Sequence, residues 1–357
     1  MEKVVETFIK LASIPSPSGS ETLVREKVVE LLSDVVDTQF VDAIGNTLFT
    51  IAGSSKMGTL LVAGHLDTVQ PAGKQTPIIK NGTIYSNGSY VLGADNKAGV
   101  SAIIEALRRI KQNKLSHPNL EILFTVREET EGGISQFPKE NLKAKIGIIP
   151  DMSGSLGQIL MAAPYVFGYG IKMQGLGGHV KKYERDSFHP LTLFTEFLNI
   201  LPYGRIAEDT IVNIGILNMG ENYNSIPLNI YWTGEIRTFS KVKHDKFVQK
   251  LKQTLKFLEK KYSCNVSTEF FPYCNGFNLT SRDTALVKSI IKKRKLPYEE
   301  IKTFSVGDFS ILNNWGIKTI NIGEGSKDIH TTREHTTVNA LITLESLLVD
   351  YITHFSY

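Results

Sequence analysis

Cysteine is scarce: the 357-residue chain holds only Cys264 and Cys274, and no C-x-x-C. Two thiols exclude a disulfide framework and a cysteine-based structural zinc site, and read as free thiols in a reducing compartment. A surplus of one charge is also lacking. The net charge of +4 leaves no electrostatic footprint for nucleic acid. The densest basic run, Lys292-Lys293-Arg294-Lys295, closes a helical pattern that begins near Asp283 and reads as a solvated face. No apolar run approaches the roughly 20 residues that cross a bilayer. Met1-Glu2-Lys3-Val4-Val5-Glu6 has neither the basic region nor the apolar core of a signal peptide. These absences predict a cytoplasmic protein with no membrane partner. Two catalytic signatures are missing as well, the G-x-S-x-G of serine hydrolases and the H-E-x-x-H of single-zinc proteases. Repeats and low-complexity segments are absent.

With 41% hydrophobic and 21% charged residues, the composition is that of an ordinary globular chain, long enough for about two domains. Helical patterns are expected over residues 4–11 and, after a Ser18-x-x-Glu21 capping box, to about Leu32. Residues 38–41 and 48–51 read as strands joined by a turn. Apolar runs at 59–63, 120–126 and 145–149 suit strands buried on both faces of a largely parallel sheet. Residues 76–91 read as a hairpin excursion. After Pro164 the pattern changes. Strands at 166–173, 211–217, 230–236 and 264–270, with helices at 191–200 and about 245–260, give a β-α-β-β-α-β order. That order predicts a ferredoxin-like α+β domain inserted into an α/β domain. Past Phe277 the α/β pattern returns, with a strand at 318–322 and a last helix from Asn339.

Chemistry collects at the strand ends. His65-Leu66-Asp67 follows the first buried run, Glu128-Glu129 the second and Asp151 the third, where α/β folds place their sites. Asp95 closes a small-residue loop before a helix whose apolar face is Ala98, Ala102, Ile103, Ala106, Leu107 and Ile110. Each residue alone has a plainer reading: Asp95 and Asp151 as caps, the glutamates as solvated charges, His65 and His330 as ordinary histidines. Their concurrence points elsewhere. His65, Asp95, Glu129, Asp151 and His330 form the donor set of a paired-metal site. Imidazole and carboxylate without thiolate suits zinc, with cobalt or manganese as substitutes. Two divalent ions some 3.5–4 Å apart call for a shared carboxylate. Asp95 is that bridge, with His65 and Asp151 on one ion and Glu129 and His330 on the other. Neighbours on an extended strand end point apart, so Glu129 serves as ligand and Glu128 as general base. Asp67 is expected to accept the second N–H of His65.

The segments Gly64-His65-Leu66-Asp67-Thr68-Val69, Gly93-Ala94-Asp95-Asn96-Lys97-Ala98-Gly99, Glu128-Glu129-Thr130-Glu131-Gly132 and Ile329-His330-Thr331-Thr332 resemble the co-catalytic zinc metallopeptidases. This is the family of peptidase T, glutamate carboxypeptidases, aminoacylases and succinyl-diaminopimelate desuccinylase. The peptidase T-like proteins resemble the chain most, along its whole length. The resemblance implies a zinc-aminopeptidase-like catalytic domain at residues 1–164 and 275–357 and a lid domain at 165–274. It implies a cis peptide after Asp95, and a metal-bridging hydroxide with Glu128 as base. The substrate it implies is a short peptide cut at its N-terminal residue. Gly175-Leu176-Gly177-Gly178-His179 is similar to the lid segment whose histidine steadies the oxyanion, often across a homodimer formed through the lid. Asn224 and Arg237 match lid positions that contact substrate. A plain loop histidine and a structural salt bridge are the competing readings of His179 and Arg237. The chain departs from the family at Ser305-Val306-Gly307-Asp308, where Gly-Gly-x-Asp is common, and at Val180-Lys181-Lys182-Tyr183 after His179. An N-acyl amino acid deacylase or carboxypeptidase shares the same ligands, and a binding protein without turnover shares the same fold.

Overall fold

A computed structural model describes residues 1–130, 132–182 and 189–356, so Glu131 and Tyr183 of the motifs above lie outside the described residues. Contacts divide the chain into two compact units. The larger comprises Met1–Met161, Asn278–Lys302 and Gly307–Tyr357; the smaller comprises Ala162–Phe277 and Thr303–Val306. The short Thr303–Val306 piece has no hydrophobic period to mark it in sequence.

In the larger unit the strand Ser54–His65 lies between Pro118–Thr125 and Ile146–Met152 and runs parallel to both, and Lys318–Gly323 continues the parallel set. Thr38–Val41 and Thr47–Ile51 extend one side antiparallel, and Gln158–Ala163 the other. Leu60, Leu61, Val62, Ile122, Leu123, Ile148 and Ile320 are almost wholly excluded from water. That is what continuous apolar runs require of a sheet covered on both faces. Helix Ala94–Gln112 packs on this sheet and against helices Lys3–Ala12 and Val338–His354. Parallel register has one decisive result: His65 pairs with Thr125, and Ile322 with Pro150. The segments bearing His65, Glu128, Glu129, Asp151 and His330 therefore leave the same edge of the sheet.

The capping box does not form. Helix Thr22–Leu32 begins after Glu21, which makes no side-chain cap. The Ser18 hydroxyl donates instead to Asp67 Oδ2 at 2.6 Å, and Glu21 Oε1 accepts from the Gly19 and Arg127 amides. A buried carboxylate outbids the local helix terminus because its lone pairs have no water to fall back on.

The smaller unit is a sheet in the order Gly204–Ala207, Thr210–Met219, Asn229–Thr238, Tyr165–Gln174, Asn265–Cys274, antiparallel throughout. Helices Pro190–Ile200 and Lys241–Tyr262 pack on it. Setting aside the short first strand, this is the ferredoxin-like arrangement that the β-α-β-β-α-β order predicts. Its core centres on Trp232, wholly buried, with the rings of Phe197 and Phe194 edge-on at 4.8 and 5.1 Å. Trp232→Ala should cost about 3–5 kcal/mol of stability, read by chemical denaturation; a loss under about 1 kcal/mol would show that the cluster does not organise this unit.

Candidate metal centre

The Asp95 loop is built for close approach. Gly93 takes the left-handed φ of 73°, where a Cβ would sit 2.9 Å from Thr68 Cγ2. Asp95 then leaves helical geometry at φ −79°, ψ 105°, and the Asp95–Asn96 peptide is cis. Asp95 is therefore no cap, and its carboxylate faces two histidines. Its Oδ1 is 3.0 Å from His65 Nε2, and its Oδ2 is 3.4 Å from His330 Nε2. His65 Nε2 also lies 3.2 Å from Asp151 Oδ1, and His330 Nε2 lies 2.9 Å from Glu129 Oε1. Ligand atoms of His65, Asp95 and Asp151 fall within 4.8 Å of one another, as do those of Asp95, Glu129 and His330. Asp95 alone belongs to both groups.

The sequence reading places Glu128 and Glu129 on an extended strand end. They lie instead in a turn after Arg127, whose φ is 57°. Asp67 holds that turn: its Oδ1 accepts the Glu128 amide at 3.0 Å and its Oδ2 the Glu129 amide at 3.1 Å. The expected bond to His65 shifts accordingly. The Asp67 carbonyl is 3.1 Å from His65 Nδ1, with the carboxylate 3.4 Å away. A carbonyl only accepts, so Nδ1 carries a proton and Nε2 is the atom turned to Asp95 and Asp151. Glu128 Oε1 rests over Gly307, only 2.4 Å from where a Cβ would stand. The Ser305-Val306-Gly307-Asp308 departure thus keeps glycine at the position Glu128 needs.

Buried acids outnumber bases here. Besides the candidate ligands, Asp67, Asp308, Glu324 and Glu334 are buried, and of the bases His65 and Lys97 are buried while His330 is half-exposed. Burial pushes the Glu128 carboxyl well above the usual range, Asp151 up to about 6 and Asp308 up to about 7. Bonds to Asp95 and Glu129 lift His330 to about 10. Burial opposes a charge on His65, but Asp151, Asp67 and Asp95 outweigh it and hold its pKa well above the ordinary value. Burial likewise opposes a charge on Asp95, yet its bonds to His330 and His65 keep its pKa low. Asp151 Oδ1 is buried and accepts no well-formed hydrogen bond, its one charged neighbour being His65 Nε2 at 3.2 Å. Two sets of carboxylate oxygens and imidazole nitrogens that share Asp95, with an under-satisfied Asp151 oxygen among them, fit divalent cations of the zinc type.

Sequence reasoning missed the acids behind the ligands. Glu334 accepts the Gly93 and Asp95 amides, and Glu324 accepts from Asn96 Nδ2, which also donates to the Pro150 carbonyl. Asp308 takes the Thr125 hydroxyl. Their only signal was an acid within or beside an apolar strand or a ligand loop. His179, Asn224 and Arg237 all belong to the smaller unit. Gly178–His179 pairs with Ser225–Ile226, and Val180 donates to the Asn224 carbonyl. Arg237 is gripped by both Glu235 oxygens and donates to the Phe304 carbonyl.

Comparison with known proteins gives the family. Residues 61–354 match Peptidase family M20/M25/M40. The chain belongs to this peptidase family. The uncharacterized protein YqjE of Bacillus subtilis (strain 168) is 26% identical over 98% of each chain. The crystal structure of aminopeptidase PepT from Bacillus cereus ATCC 10987 superposes with a TM-score of 0.91 at 26% identity, covering 98% of this chain and 97% of that one. A tripeptidase (SAV1512) from Staphylococcus aureus subsp. aureus mu50 shares the fold at a TM-score of 0.91 and 24% identity, with 98% and 97% covered. Among the described residues no helix is long and apolar enough to cross a membrane.

Cation binding must displace protons from His65 and His330 and ionise the buried acids. Affinity for zinc should therefore rise with pH from about 6, where Asp151 ionises, and keep rising towards about 10, where His330 gives up its proton, with net proton release. Calorimetric titration in buffers of different ionisation enthalpy measures this; a heat independent of buffer would contradict it.

Proposed function

We propose that this M20 peptidase is a two-metal aminopeptidase of the tripeptidase type, removing the N-terminal residue of short peptides. The observation that carries the reading is Asp95, whose two oxygens face separate imidazole–carboxylate sets. His65 and Asp151 would hold one ion, Glu129 and His330 the other, with Asp95 shared. When bound, such ions polarise the scissile carbonyl and make water a nucleophile near neutral pH. The protein's own part is proton handling and orientation. Glu128 takes the proton of the attacking water and passes it to the leaving amine nitrogen. A carboxyl raised by burial suits both halves of that exchange. Asp67 sets its direction by pinning the amides of residues 128 and 129. The same reading gives His179 to the developing oxyanion and Asn224 and Arg237 to the bound peptide, a guanidinium suiting a terminal carboxylate. The likeness to aminopeptidase PepT supports the substrate class.

The test is a panel of tripeptides and dipeptides with free, acetylated and amidated ends, set beside N-acyl amino acids. Free-amine tripeptides should be cut fastest, releasing the first residue. Preferred turnover of acyl amino acids, or release from the C-terminus, would replace this reading with a deacylase or carboxypeptidase. Glu128→Gln should lower kcat by about 10²–10⁴-fold while metal content, read by elemental analysis, stays at the wild-type value. Retained turnover would remove Glu128 as the base.

A further inference from the structure

The amide groups of the Asp95 loop raise a question that the ligands do not answer. Asp95 lies in the first turn of its helix, so its N–H has no intrahelical acceptor, and it must still present one oxygen to His65 and the other to His330. The acceptor comes from far along the chain. Glu334, 1% exposed, takes the Gly93 amide on Oε2 at 2.8 Å and the Asp95 amide on Oε1 at 3.0 Å. Both carboxylate oxygens are thus spent on the backbone that aims Asp95. Glu334 is also anchored at its own end, because its amide donates to the Thr331 carbonyl at 3.1 Å, next to His330. One residue therefore joins the two loops, its side chain holding the loop of the shared carboxylate and its backbone the loop carrying a histidine of one set.

We infer that Glu334 is a positioning residue of the metal centre: it holds Asp95 in the orientation that lets one carboxylate serve two ions. The inference rests on the two-metal reading. Glu334 touches no ligand atom and acts through the Gly93–Asp95 backbone, as an outer partner that sets the direction of a ligand. A plain helix-capping acid at this place would stabilise the chain and leave ion binding alone. A positioning acid would change ion binding at nearly constant stability.

Cobalt(II) separates the two, because its visible absorption reports coordination geometry. Chelator-stripped wild-type protein, Glu334→Ala, Glu334→Gln and Glu105→Gln are titrated with cobalt, with thermal melts of each stripped protein alongside. Glu105 is the control: a buried acid on helix Ala94–Gln112 that accepts from Thr7 and Arg108, away from the site. Gln keeps the shape of Glu334 and one acceptor, so it tests the inference even where Ala unfolds. Wild-type protein and Glu105→Gln should take up two cobalt ions with the same spectrum. Both Glu334 variants should bind at least one ion about 10–100-fold more weakly, with an altered spectrum and a melting temperature close to that of Glu105→Gln. Wild-type affinity and spectrum in Glu334→Gln would overturn the inference, as would equal loss in Glu105→Gln or unfolding of both Glu334 variants. Wild-type protein that takes up fewer than two ions overturns the two-metal reading itself, and this inference with it; two ions bound at wild-type affinity in every variant overturns this inference alone.

Discussion

A single carboxylate facing two imidazoles at once is the constraint on which the larger unit turns. Asp95 can direct Oδ1 to His65 and Oδ2 to His330 only if its backbone is fixed in both position and rotation. The surroundings supply that fixity. Gly93 admits the left-handed turn, Glu334 receives the loop amides, and Asn96 donates to the Pro150 carbonyl beside Asp151. The segments bearing Asp95, Asp151 and His330 are thereby tied behind the ligands. Concentrating so many acids in a dry place is unfavourable by itself. It becomes reasonable only around positive charge, and burial accordingly raises the carboxyls of Glu128, Asp151 and Asp308.

The sheet explains why such distant residues meet. Parallel strands start on one side and finish on the other, so whatever follows each strand gathers at a common edge. This much was legible in the sequence. Continuous apolar runs around Leu60, Ile122 and Ile148 gave parallel strands, and the residue types after them gave the chemistry. The ferredoxin-like order was legible for a similar reason: alternation in strands such as Tyr165–Gln174 marks a sheet with one covered face.

What escaped reading was whatever depends on long-range partners. Ser18 carries every local sign of a helix cap, yet it serves Asp67. The acids Glu324 and Glu334 belong to no motif, because the partners that tie them to the Asp95 loop, an amide side chain and backbone groups, lie more than two hundred residues away. Nothing in a one-dimensional pattern reports that Thr303–Val306 joins the smaller unit, where Phe304 meets the rings of Phe239 and the guanidinium of Arg205. Spacing reveals periodic burial, and it is silent on which of two acceptors a hydroxyl or amide will choose.

Asp67 sets the order of two identical neighbours. Its carboxylate fastens the consecutive amides of residues 128 and 129, one to each oxygen. Two glutamates that chemistry cannot tell apart thus become unequal by address alone. Lengthening or shortening the Val126–Arg127 bend by one residue would leave both acids in the chain and exchange their places. Descendants of this gene should accordingly accumulate changes of side chain along that bend far more readily than changes in its length.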